Sequence, residues 1–184
     1  MSTLTPADIA AHRYLVGCRC AVVSALLFAV LGCSPTLNWR SVSIGEIAVT
    51  LPCKPDRAQR AVTLAGYSMD MEMVGCEADG ALFAVSSLRV PKQLSPDLLQ
   101  AEWQAATLRG MRGQAGQETP AGATGPKNLP LRLVSALGQS SDGQKLEASL
   151  GWATTGADMV HFAVYAPRLS RALTEPFFEG IRAP

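Results

Sequence analysis

Residues 67–75 read Tyr67-Ser68-Met69-Asp70-Met71-Glu72-Met73-Val74-Gly75, and this stretch decides the fold. Tyr67, Met69, Met71 and Met73 share one parity, while Ser68, Asp70 and Glu72 share the other. A period of two is what a half-buried β-strand presents. Ala78-Asp79-Gly80 then gives a hairpin signal before a second apolar run, ALFAVSSLRV at 81–90. The nucleus of the reading is therefore an antiparallel pair of strands.

Working outward, residues 39–43 and 47–51 read as two strands joined by a turn at Gly45. Pro52-Cys53-Lys54-Pro55-Asp56 stops the second, because proline cannot donate to a ladder. A short strand at 61–64 and a turn at Ala65-Gly66 precede the central pair. Beyond it, Ser95 can cap a helix, with Pro96 at the first helical position and Asp97 complementing the positive helix end. Leu99, Trp103, Ala106 and Gly110 give that helix an apolar face, with Leu98, Ala105 and Met111 alongside and Gly113 as its stop. Residues 113–127 are rich in Gly, Ala and Pro and read as a connection with an edge strand near Glu118.

Three strands at 131–138, 145–153 and 158–166 form a meander, turning at Asp142-Gly143 and Thr155-Gly156. A final short helix starts near Thr174 with Pro176 in its first turn, where a missing N–H is harmless. Its apolar residues are Phe177, Phe178 and Ile181. The order predicts an α+β fold, an antiparallel sheet covered by two helices. Met69, Met71 and Met73 are expected in the core, facing Trp103 and the closing helix through Phe177 or Phe178.

The N-terminus has the three parts of an export signal. Arg13 and Arg19 against a single Asp8 make a weakly positive start, and CAVVSALLFAVL at 20–31 is uncharged and apolar. That run is shorter than the roughly 20 residues a spanning helix needs. It closes on Ala29-Val30-Leu31-Gly32-Cys33, which resembles the lipobox of bacterial lipoproteins. The resemblance implies a signal peptide at 1–32, lipidation of Cys33, a tether at 33–38 and a single domain at 39–184. Ser34 is not the Asp of an inner-membrane retention signal, so the resemblance implies the periplasmic face of the outer membrane. Anchoring in the inner membrane is the alternative.

Removing 1–32 leaves 14 basic and 14 acidic residues with no basic block. Nucleic-acid binding needs a positive surface to release counterions, and this chain lacks one. It also leaves Cys53 and Cys76 as the two thiols not capped or removed. In an oxidising compartment such a pair is expected to form a disulfide, the alternative being two separate buried thiols.

A Trp-containing first strand, Leu51-Pro52-Cys53-Lys54-Pro55, a Gly-x-x-Phe hairpin (Gly80 to Phe83) and an aromatic closing helix resemble a group of uncharacterised proteobacterial lipoproteins. More distantly, the order of elements is similar to the PsbP/Mog1-like fold. The resemblance covers about residues 39–182. It implies a scaffold serving binding or assembly and carries over no functional residue.

Catalytic chemistry has little to stand on. His161 is the sole histidine after residue 32 and sits in a strand pattern. No Gly-x-Ser-x-Gly elbow accompanies it, and Gly138 to Gly143 reads as a turn. Glu72, Glu77, Asp79, Glu102 and Glu147 could supply a carboxylate pair for hydrolysis. The Gly-rich segment lacks the Lys-Ser/Thr ending of a phosphate loop. Met69, Met71 and Met73 are soft ligands suited to Cu(I), although packing is the expected role of such adaptable side chains. The leading expectation is a non-catalytic, cofactor-free, lipid-anchored periplasmic module that binds a partner or assists assembly in the cell envelope. The alternatives are a small envelope enzyme using His161 or a carboxylate pair, and a Met-based copper-handling protein.

Overall fold

The structure, a computed structural model, describes residues 37–120 and 129–183. The signal segment 1–32, Cys33 and residues 34–36 of the tether lie outside the described residues.

Among the described residues, nine strands and two helices follow in the order β1 (Arg40–Ile44), β2 (Ile47–Leu51), β3 (Asp56–Leu64), β4 (Tyr67–Ala78), β5 (Ala81–Arg89), α1 (Pro96–Gly110), β6 (Gln114–Pro120), β7 (Arg132–Gln139), β8 (Lys145–Thr155), β9 (Asp158–Ala166) and α2 (Arg171–Glu179). β1 and β2 form a separate hairpin, and the other strands form one antiparallel sheet in the order β3-β4-β5-β9-β8-β7-β6. The class is α+β, as the sequence indicates.

Three elements differ from the sequence reading. β3 starts at Asp56, five residues earlier than expected. It is an edge strand, exposed at every position from Asp56 to Ala61, so Arg57, Gln59 and Arg60 show no alternation for a pattern to catch. α1 begins after an extended Ser95 whose side chain makes no cap hydrogen bond, so the expected hydroxyl cap is not used, and it ends at Gly110. α2 starts at Arg171, a turn before the expected Thr174, and Pro176 lies inside it. Leu173, buried in the first turn, anchors that earlier start.

Alternation sorts the sheet into two faces. Val74, Cys76, Phe83, Val85, Phe162 and Val164 point to one, where the β1–β2 hairpin and α2 close a core through Val49, Leu51, Phe177 and Phe178. Phe83 meets Trp39 edge-on at 6.2 Å and Phe177 at 5.7 Å. On this face the disulfide Cys53–Cys76, with Cα atoms 6.0 Å apart, ties the end of β2 to β4. The pairing expected from the cysteine count is therefore present in the structure.

Met69, Met71, Leu88, Met159 and Trp152 belong to the other face, which α1 covers with Leu99 and Trp103. Met69 and Met71 are buried at 8% and 5% exposure, and Met73 is half-buried. The expected packing against Trp103 holds. The expected packing against Phe177 or Phe178 does not, because those rings lie in the core on the opposite face. One strand cannot serve both helices with residues of one parity.

Candidate binding groove

The groove starts from a row of side chains fixed by strand register. Met73 on β4 pairs with Ser86 on β5, Ser86 pairs with His161 on β9, and His161 pairs with Trp152 on β8. All four point to the α1 face by alternation. The next row is small: Gly75, Ala84 and Ala163 stand side by side on β4, β5 and β9. Gly75 reflects close backbone approach, since a Cβ there would lie 2.6 Å from the Phe83 carbonyl oxygen and 3.5 Å from the Ala84 methyl. The third row, Glu77, Leu82 and Tyr165, rises again. Gly80, at φ +69°, turns the β4–β5 hairpin that rims this end.

α1 leaves this part of the sheet uncovered. The result is an open groove of about 1050 Å³, floored by Ala84 and Ala163 and walled by Met71, Met73, Trp103, Ala106, Met111 and Leu146. An adjoining recess of about 550 Å³ shares Met73, Ala84 and Ser86 with it. Among the described residues, the ionisable side chains with full charges that reach the groove are Arg60, Glu77 and Asp79, all of them exposed.

His161 is the chemical singularity of this surface. Its ring stacks on Trp152 at 4.5 Å and 18°, and Trp103 lies tilted against it at 5.4 Å. Nε2 is buried and has no hydrogen-bond partner. Burial pushes its pKa down to about 3, so the imidazole is neutral at ordinary pH. Burial likewise pushes the Tyr165 phenol up to about 12. Trp152 Nε1 and Thr155 Oγ1 are also buried without partners. Unsatisfied buried polar atoms are few in native proteins, and each costs roughly 1–3 kcal/mol.

The carboxylates do not gather around His161. Glu72 is exposed and pairs with Arg57 at 3.3 Å. Glu147 accepts from Lys145 at 2.7 Å and from the Leu169 amide at 2.9 Å, and these bonds hold its pKa below the usual value. Glu77 and Asp79 sit at the groove rim, and Glu102 is on α1. No group of three His, Cys, Asp or Glu positioned to hold a metal occurs among the described residues. Of the three methionines considered for Cu(I), Met71 and Met73 line the groove with His161, and Met71 is buried. Cys33 lies outside the described residues.

Sequence reasoning treated His161 alone and missed its row. The signal was present in the parity of β9, where Met159, His161, Ala163 and Tyr165 share a face. The cross-strand partner Ser86 needs the β5–β9 register, which no local pattern supplies.

No protein-family model matches the chain, and no curated protein matches it. Among solved structures, the chain is similar to the crystal structure of PA94, a protein of unknown function from Pseudomonas aeruginosa, at 12% identity and a TM-score of 0.37. The match covers 76% of this chain and 90% of that one. At that level it transfers no residue and no role.

Proposed function

We propose that this chain is a non-catalytic binding module of the bacterial cell envelope, exported by the signal segment 1–32 and anchored through lipidated Cys33. The finer reading of the fold is a PsbP/Mog1-like sandwich. The observation that carries the binding role is the difference in cover between the two sheet faces. Among the described residues, one is closed by two elements, and the other keeps an apolar groove lined in part by a buried, unpartnered polar side chain, His161. A concave apolar surface with few polar groups is how ligand sites are commonly built. Binding is favoured over catalysis because a base with a pKa near 3 accepts protons poorly at neutral pH.

Two measurements test this reading separately. Metabolic labelling with a palmitate analogue should mark the wild-type chain, and Cys33→Ser should abolish the label and release the protein from membranes. An unlabelled wild-type chain removes the anchor. For the binding face, a photocrosslinking amino acid at Leu82, on the groove rim, should capture envelope material in intact cells. The same group at exposed Leu137 should not. Equal capture at both positions removes the groove as the binding face.

A further inference from the structure

The three rows described above form a trough with a defined width. Same-face residues along a strand repeat every ~6.8 Å, so the wall rows Met73–Ser86–His161 and Glu77–Leu82–Tyr165 stand roughly 13 Å apart at the backbone. Allowing for the side chains of both walls, the clear width is below the ~10–12 Å diameter of an α-helix with its side chains. A polymethylene chain, about 4 Å thick, fits between them. The three rows cross β4, β5 and β9, two inter-strand steps or roughly 10 Å, and the groove floor of Ala84 and Ala163, continued by Gly75 in the adjoining recess, carries no polar side chain.

The polar group is equally defined. Ser86 stands beside His161 on the adjacent strand and also lines the groove. His161 Nε2 is buried and unpaired. A neutral imidazole beside a hydroxyl satisfies an uncharged hydrogen-bonding group and offers no countercharge to an ionised one.

We infer that the groove binds a single acyl or alkyl chain laid along Ala84 and Ala163, with an uncharged polar group such as an ester or hydroxyl at Ser86, beside the buried His161. The inference rests on the groove being the binding face. Its position agrees with an envelope lipid as the source. Asn38 donates its amide to the Pro52 carbonyl, and the neighbouring Cys53 is joined to Cys76 near the end of β4. The described chain therefore begins at the same end of the sheet as the hairpin that rims the groove. Met71, Met73 and Met111 in the walls suit a flexible apolar occupant.

The test feeds cells expressing the full chain a palmitate analogue that carries a diazirine in the chain and a terminal alkyne. Cells are irradiated, and the reduced protein is mapped by mass spectrometry. Light-dependent adducts should concentrate on the peptides 61–89, 93–109 and 146–168, which carry Ala84, the α1 wall and Ala163. Ala84→Leu, which fills the trough, should lower them at least about tenfold. Ser86→Val, which removes one hydrogen bond, should lower them roughly three- to tenfold. Ala106→Trp fills the trough from the other wall and decides the matter if Ala84→Leu does not fold. Adducts spread evenly over both sheet faces, or undiminished in a folded filling variant, overturn the inference. Light-independent label on the peptide ending at Arg40 reports on Cys33 alone, so loss of the anchor is read separately from loss of the groove ligand.

Discussion

The two faces of the seven-stranded sheet are built from the same strands yet reach opposite ends. The face toward α2 is covered by two independent elements, a hairpin and a helix, and is apolar to its centre, with Phe83, Phe162, Phe177 and Phe178 fully buried. Among the described residues, the face toward α1 has one helix to cover it. Seven strands span roughly 29 Å, whereas a 15-residue helix is about 22 Å long and ~10 Å wide. A single helix cannot close that area. Small residues floor the uncovered part, and a buried serine and histidine lie at its edge. The contrast teaches that the groove is a consequence of unequal cover and not of a gap in packing.

The largest expected effect contrasts two neighbours on β5. Phe83→Ala, on the closed face, should cost about 3–5 kcal/mol in chemical denaturation. Leu82→Ala, one residue away on the open face, should stay within about 0.5 kcal/mol. Equal losses would break the distinction between the faces. Next in size is the disulfide of the closed face. Cys53→Ser with Cys76→Ser opens a link between residues 23 apart in sequence and should cost roughly 3 kcal/mol. The same drop should follow when the wild-type protein is unfolded under reductant.

A third effect belongs to the open face and depends on pH. His161 is held neutral in the folded state down to about pH 3, whereas an unfolded histidine takes up its proton near 6.5. The unfolded state therefore binds more protons as pH falls below about 6.5, and stability drops until the folded state titrates near 3. At pH 4.5 the loss is about 2–3 kcal/mol relative to pH 7.5. His161→Phe keeps an aromatic ring against Trp152 and should remove that portion of the pH dependence, read as the difference between the two denaturation profiles. Parallel profiles would show that the imidazole is solvated. Smaller than the pH effect is that of Ala84→Leu, which should change stability by less than about 1 kcal/mol while filling the groove.

How much of this was legible before folding follows from periodicity. β2 and β9 match their expected bounds because both alternate or run apolar between clear turns. β3 was half missed, since an edge strand exposed along most of its length carries no alternation. The disulfide followed from counting thiols on the expectation of an oxidising compartment. The groove was hidden for a different reason. Its residues come from β4, β5, β9 and α1, and only the pairing of Ser86 with His161 brings them together. The methionine strand was correctly placed against Trp103, but its distance from Phe177 required knowing which face α2 takes.

Among the described residues the sheet is open, with β3 and β6 as its borders, and they are finished differently. β3 presents Arg57 and Arg60 along nine residues of edge strand. β6, at the far side, is broken by a register shift between Ala115 and Glu118 and ends at Pro120, which has no N–H to offer. Positive charge on one border and irregular backbone on the other both discourage a second chain from continuing the ladder. Crowding many copies together should accordingly leave them as separate molecules rather than growing the sheet from one to the next.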